Sequence, residues 1–411
     1  MGEAWADAGS DVGNAWRVQA CGEVMIVNAA MSTETETAGA AREVCRALSG
    51  VEPDLAVVFA SHHHGPEFEE LLEEFRTRLN PRNLIGCTGE GIIGPDREVE
   101  RSPAVAVWAA KMPGVKILPF VLDQGDIGNL GGEEEWRDRA GVLPRDRPSF
   151  IVFPDPFSID AEYCLSQLNQ VFPGANIVGG MASGAEAEGQ NRLFLNDQVF
   201  RQGLVGVSVS GPVVITAVVS QGCRPVGEPL LVTKAEGNVI QELRGKPAME
   251  VLRRVYDEAP AADRALIQQQ GLQVGCMLGG GSSHPGRSEV LIRSVLGVVE
   301  DQGLALNTVV QSGQVVQFHV RDAQTATSDL RTILAEKIAE MGKPPAGGLL
   351  FSCNGRGRRM FGVPHHDIKL VNSLAGGCPV AGFFAGGEIG PVGGRTYVHG
   401  FTSSLALFRD A

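Results

Sequence analysis

LAVVFASHHHGPEFEELLEEFRTRLNPRNLIGCTGEGIIG, residues 55–94, holds an apolar run of strand length, a charged amphipathic stretch and a second apolar run that breaks into glycines. The spacing predicts a strand over 55–61, a helix over 66–79 and a strand entering a glycine-rich segment, followed by a further strand, AVAVWAA, at 104–110. The same order recurs twice. FIVFPDP (150–156), a helix near 161–171, NIVGGMASG (176–184) and GLVGVSVS form a second window. GLLFSCNGRG (348–357), a helix near 366–374, VAGFFAGGEIGP (380–391) and FTSSLALF (401–408) form a third. A strand, helix, strand crossover makes its two strands parallel neighbours and brings both following loops to one carboxyl edge, where ligands are usually held.

Helix signals also precede the first and third windows, at 35–48 and 322–341, so the two ends of the chain read as related domains. The expected fold class is α/β: two related domains with mixed β-sheets flanked by helices, built from repeated strand-helix-strand units. A boundary falls near 243–246, where a β-rich run gives way to the helical PAMEVLRRVYDEA. The expected division is a disordered leader over 1–20, a first domain over 21–244 and a second over 245–411.

The totals exclude several classes of function. The 411 residues carry a net charge of −13 and a pI near 5.2, which disfavours phosphate backbones and anionic lipid surfaces. Nucleic acid and membrane insertion are therefore not expected. The uncharged stretch 202–223 is split by Gly211-Pro212 and reads as two strands joined by a turn. The 8 cysteines lie far apart with no CxxC pair, which fits neither a zinc framework nor a disulfide scaffold and points to a reduced cytoplasm.

QGCRPVGEP (221–229), KAEGNVIQELRGKPAMEVL (234–252), FHVRDAQTA (318–326), LLFSCNGRGRRMFG (349–362) and GFFAGGEIGPVGG (382–394) together resemble the FIST family, named for F-box and intracellular signal transduction proteins. The resemblance runs from about 53 to 408. It implies a FIST N domain and a FIST C domain acting as a sensory module for a small ligand such as an amino acid. With no output domain in the sequence, it also implies a separate signalling partner.

Candidate ligand residues follow from the loops at the expected edge. Glu90 and Glu388 stand among glycines whose N–H groups can face a ligand, and each would receive an ammonium; the plainer use is a tight turn whose acid bonds local amides. Asn354, Arg356 and Arg358 directly follow a strand, and a guanidinium there suits a carboxylate, unless one arginine is buried in an ion pair. His64 ends the first strand on the same edge. Gln221 and Arg224 bring polar groups into an apolar run, with a hairpin stabilised by Arg224 and Glu228 as the alternative. Asp322 reads as a helix N-cap.

No catalytic residue, metal or cofactor is expected. The runs 62–64 and 365–367 have poor chelating geometry, and no HExxH, P-loop or nucleophile elbow is present. Two further readings stay open beside ligand sensing. Cys353, near Arg356, could serve a cysteine-dependent enzyme; otherwise the chain is an interaction scaffold.

Overall fold

The structure, a computed structural model, describes residues 24–278, 290–299 and 303–411. The expected leader and Cys21 lie outside the described residues.

The three windows are three copies of one unit. The first runs β1 (Ile26–Ser32), α1 (Thr37–Ala47), β2 (Leu55–Ser61), α2 (Phe68–Arg78), β3 (Leu84–Gly89), β4 (Gly91–Ile93), β5 (Glu98–Glu100) and β6 (Val105–Lys111). The second runs β7 (Lys116–Leu122), α3 (Gln124–Asn129), α4 (Glu133–Ala140), β8 (Ser149–Pro154), α5 (Ala161–Val171), β9 (Ile177–Gly180), β10 (Leu193–Leu195), β11 (Gln198–Phe200) and β12 (Leu204–Ser210). The third begins with β13 (Val213–Gln221) and is then interrupted by a lobe. The lobe comprises β14 (Cys223–Glu236), β15 (Val239–Leu243), β16 (Lys246–Pro247), α6 (Ala248–Glu258), α7 (Ala261–Gln270), β17 (Gln273–Met277), β18 (Val290–Val299), β19 (Gly303–Leu306) and β20 (Val315–Arg321). The unit resumes with α8 (Ala323–Met341), β21 (Gly347–Cys353), α9 (Arg358–Phe361), α10 (His366–Leu374), β22 (Val380–Ala385), β23 (Glu388–Val392), β24 (Arg395–His399) and β25 (Thr402–Asp410).

The crossovers pair as expected. β2 lies parallel to β3, β8 to β9 and β21 to β22, while β6, β12 and β25 return antiparallel beside the first strand of each pair. A glycine sits at the same register point in every parallel pair: Gly86 opposite Val58, Gly179 opposite Val152 and Gly382 opposite Leu350. A Cβ at those glycines would lie 1.9, 1.9 and 1.8 Å from the opposing carbonyl oxygens, so only glycine lets the strands approach this closely. Gly211-Pro212 turns the chain as expected, but β12 and β13 enter different sheets.

The short hairpins do not close on their own units. The sheet orders are β1-β6-β2-β3-β10-β11, β24-β23-β9-β8-β12-β7 and β13-β25-β21-β22-β4-β5. Unit two therefore lends β10–β11 to the first sheet, unit three lends β23–β24 to the second, and unit one lends β4–β5 to the third. The exchange is cyclic, and the three sheets share one core. One residue after the glycine-facing position, Phe59, Phe153 and Phe351 meet at centroid distances of 5.5, 6.3 and 5.9 Å, all fully buried. Helices cover the outer faces: α2 seats Leu71, Leu72 and Phe75, and α8 seats Leu330 and Leu334 after the N-cap Asp322, whose carboxylate accepts from the Gln324 and Thr325 amides.

The lobe forms a seven-stranded sheet, β14-β20-β17-β18-β19-β15-β16, over its own core of Val251, Val274, Leu304 and Phe318. No helix among the described residues is long and apolar enough to cross a membrane.

Candidate functional site

Because the three parallel pairs share a register, the loops beyond them can be compared position by position. Four residues beyond the glycine-facing position stand His62, Pro156 and Asn354, and five beyond stand His63, Phe157 and Gly355. Four residues beyond the glycine stand Glu90, Ser183 and Gly386. Eight of these nine line one cleft of about 780 Å³ at the shared carboxyl edge. The ninth, Gly355, lines an adjoining recess of about 180 Å³ that shares Glu90, Arg101 and Asn354 with the cleft. The fold thus brings three equivalent loop pairs to one place, and the sequence differentiates them chemically: unit one is acidic and imidazole-bearing, unit two presents an aromatic ring and a hydroxyl, and unit three an amide and a bare backbone.

Several groups here have spare valence. Asn354 Oδ1 is buried without a partner. Arg101 is exposed and held at φ 56°, a conformation that costs a non-glycine residue about 1 kcal/mol or more and that tends to cluster at functional sites. Phe157 is 45% exposed, so its ring face is free for a ligand. Ser183 accepts the Glu90 amide at 2.9 Å and donates to the Phe384 carbonyl, fixing the Glu90 loop.

Of the residues singled out from sequence, Glu90 and Asn354 meet in this cleft; the others stand elsewhere. Arg356 is fully buried, and its Nε and Nη2 donate to the two Asp367 oxygens at 2.7 and 2.9 Å. The fork expected to receive a ligand carboxylate is occupied by one within the protein. Burial would push the Asp367 carboxyl up, yet the Arg356 guanidinium, with His366, holds it well below the usual range. Ser352 also donates to Asp367, at 2.8 Å. Arg358 is exposed and gives its backbone N–H to Glu100.

Glu388 is fully buried and does not line the cleft. Its Oε2 accepts the Thr402 amide at 3.0 Å and its Oε1 has no partner. Burial pushes its carboxyl well above the usual range. Glu388 and Glu90 follow equivalent strands but are not equivalent residues. By pairing with the preceding sheet, Glu388 opposite Gly180 corresponds to Ile92 opposite Phe383 and Leu193 opposite Cys87. A carboxyl group therefore occupies a core position that is aliphatic in the other two units.

His64 is buried, its Nδ1 lies 3.2 Å from Thr37 Oγ1, and burial followed by His63 lowers its pKa. The Gln221 side-chain amide donates to the Val290 carbonyl, and its backbone N–H donates to the Asp329 carboxylate at 3.0 Å. Arg224 belongs to the continuous strand β14, where it pairs with Asp263 and Asp322, while Glu228 pairs with Arg244. The alternative of a hairpin stabilised by Arg224 and Glu228 is not what forms, since each residue pairs with a more distant partner. The Cys353 thiol is pushed up to about 12 by burial and by Glu388. No group of three His, Cys, Asp or Glu among the described residues converges as metal ligands.

Sequence reasoning passed over Arg101, Phe157 and Ser183. The FPDP and MASG motifs of the second window carried the signal for two of them, but only strand register shows that they hold the positions of Gly355 and Glu90. Arg101 lies in a polar turn with no motif of its own.

Comparison with known proteins matches residues 54–246 to the FIST N domain and 248–391 to the FIST C domain; the F-box of the family's full name is not what matches. An uncharacterized protein of Mycobacterium tuberculosis (strain ATCC 25618 / H37Rv) is 42% identical over 385 residues, covering 93% of this chain and 98% of that protein. An uncharacterized protein of Mycobacterium bovis (strain ATCC BAA-935 / AF2122/97) is 39% identical over 383 residues, covering 93% and 96%. Among solved structures, a cyanuric acid hydrolase from A. caulinodans superposes with a TM-score of 0.39 at 9% identity, covering 94% of this chain and 99% of that one.

Proposed function

Because the chain belongs to the FIST family, with its N and C domains in tandem, we propose that it is a cytoplasmic receptor for a small carboxylate or zwitterionic metabolite, such as an amino acid, and passes the signal to a separate output protein. The observation that carries this reading is the convergence of position-matched but chemically different loops on one cleft. A merely structural repeat has no need to present an acid, an aromatic ring and an unpaired amide at one edge.

In this reading the Arg101 guanidinium meets the carboxylate, Glu90 the cationic end, and Asn354 a polar group between them. Arg101 takes the part expected of Arg356 or Arg358, since the Arg356 fork is already held by Asp367. Glu388 and Arg356, both fully buried, do not line the cleft. A thiol held near 12 is almost wholly protonated at neutral pH, which supports binding over cysteine catalysis.

Thermal or denaturant unfolding against the twenty amino acids and a panel of small organic acids tests the proposal. A true ligand at 100 times its Kd adds about 2.7 kcal/mol. Arg101→Ala should abolish that gain while leaving the unliganded protein within about 0.5 kcal/mol, because Arg101 is exposed. A panel that moves nothing, or a shift that survives Arg101→Ala, sinks the assignment.

A further inference from the structure

The lobe interrupts only the third unit, and its two ends meet. Cys223 pairs with Arg321 across β14 and β20, and the Asp322 amide donates to the Gly222 carbonyl at 3.1 Å, so the lobe stands on a two-stranded stalk. One foot of that stalk touches the cleft loop. Arg321 Nη2 donates to the Gly355 carbonyl at 2.7 Å, and Gly355 immediately follow Asn354 and holds the position of His63 and Phe157 in the other units. The guanidinium crowds this glycine so closely that a Cβ there would lie 2.6 Å from both terminal nitrogens.

The other contacts of Arg321 are weak ones, including Met360 Sδ at 3.8 Å from Nη2. Its guanidinium lies 5.0 Å from the Phe401 ring centroid, Nε is buried with no partner, and no carboxylate among the described residues pairs with it. Phe401 is itself held at φ 63°, and its carbonyl accepts the Gly222 amide at 2.9 Å. By contrast, Arg293 anchors the lobe to the second sheet and its helix: its Nη1 donates to the Val398 carbonyl of β24 at 2.9 Å and its Nη2 meets Glu162 of α5 at 3.1 Å. The lobe is thus held through β18, by Arg293 and by the Gln221 side chain on the Val290 carbonyl, and at the stalk it rests on a backbone carbonyl beside the cleft.

We propose that the lobe, residues 223–321, reads occupancy of the cleft through Arg321, which transmits movement of the Asn354–Gly355 loop to the stalk. This rests on the cleft being the ligand site, but its test needs no ligand. Glu186, exposed on the cleft wall, is changed to cysteine in the full chain and alkylated with N-ethylmaleimide to fill the cleft, with the identically treated wild type as control. Hydrogen exchange is then followed in segments 221–231 and 315–323. The adduct should change stalk exchange by at least about threefold with Arg321 present and leave it nearly unchanged with Arg321→Ala. Arg321→Lys, which keeps the cation but loses the fork, should give a reduced response and serves if the alanine variant does not fold. Stalk exchange that ignores the adduct, or responds equally with Arg321, Lys and Ala, overturns the proposal. A metabolite panel that fails while the adduct still moves the stalk would reject the ligand class and leave the coupling standing.

Discussion

Glu388→Gln separates a buried carboxyl from its shape. Glutamine keeps the length of the side chain and an oxygen for the Thr402 amide but cannot ionise. Burial raises the native pKa of Glu388 above that of the unfolded chain, so the native state holds a proton that the unfolded state has released. The stability this contributes is fully present below the unfolded value of about 4.3 and declines by about 1.4 kcal/mol per pH unit until the native pKa is reached. Relative to wild type, Glu388→Gln should therefore gain about 1.4 kcal/mol for each pH unit above about 4.5, then level off at the native pKa. Glu98, raised to about 7 by burial and by Asp367, adds the same slope to both proteins and drops out of the difference. Urea unfolding followed by fluorescence of the buried Trp108 and Trp136 reads this from pH 5 to 8. A difference between the two proteins that stays constant across that range would refute the reasoning, because Glu388 would then be ionised in the native state.

Three further outcomes are expected. Gly382→Ala puts a methyl group 1.8 Å from the Leu350 carbonyl oxygen, so β21 and β22 must part; a loss of about 4 kcal/mol or more should appear as insoluble or unfolded protein by circular dichroism. Arg356→Ala leaves Asp367 buried and uncompensated at a loss of about 3–5 kcal/mol, whereas the double change Arg356→Met with Asp367→Leu should restore most of it in the same urea assay. Phe351→Ala empties the point where the three units meet and should lower stability by about 3–5 kcal/mol, lost mainly as a lower denaturant midpoint with unchanged slope.

The repeated unit was legible because its signals are local. LAVVF, FIVF and GLLF each end in the aromatic residue that meets its counterparts in the core, and each following segment carries the close-approach glycine. The edge where the loops converge was legible for the same reason, and Glu90 and Asn354 line the cleft there. What stayed hidden depends on distant pairing. The hairpins β4–β5 and β10–β11 have strands of three residues, too short for any periodicity to name the sheet they complete. Arg356 looked available because Asp367, its partner, lies eleven residues on beyond a turn, and Glu388 looked exposed because its glycine neighbours suggest a loop. Arg321 read as the residue before an N-cap, and only the fold shows it resting against Gly355.

The cyclic exchange of hairpins also sets a timetable for synthesis. β4–β5 leaves the ribosome long before β22, the strand it must lie beside, and roughly 280 residues separate them. At about 5–20 residues per second that is a wait on the order of 15–55 s. β9 waits similarly for β23, and β13 for β25. Until the last sixty or so residues emerge, a nascent chain carries unpaired strand edges in two of its three central sheets, which invite pairing with other chains. A product stopped between the FIST N and FIST C regions would keep those edges permanently, so the first region depends on the second to cover its open strand edges.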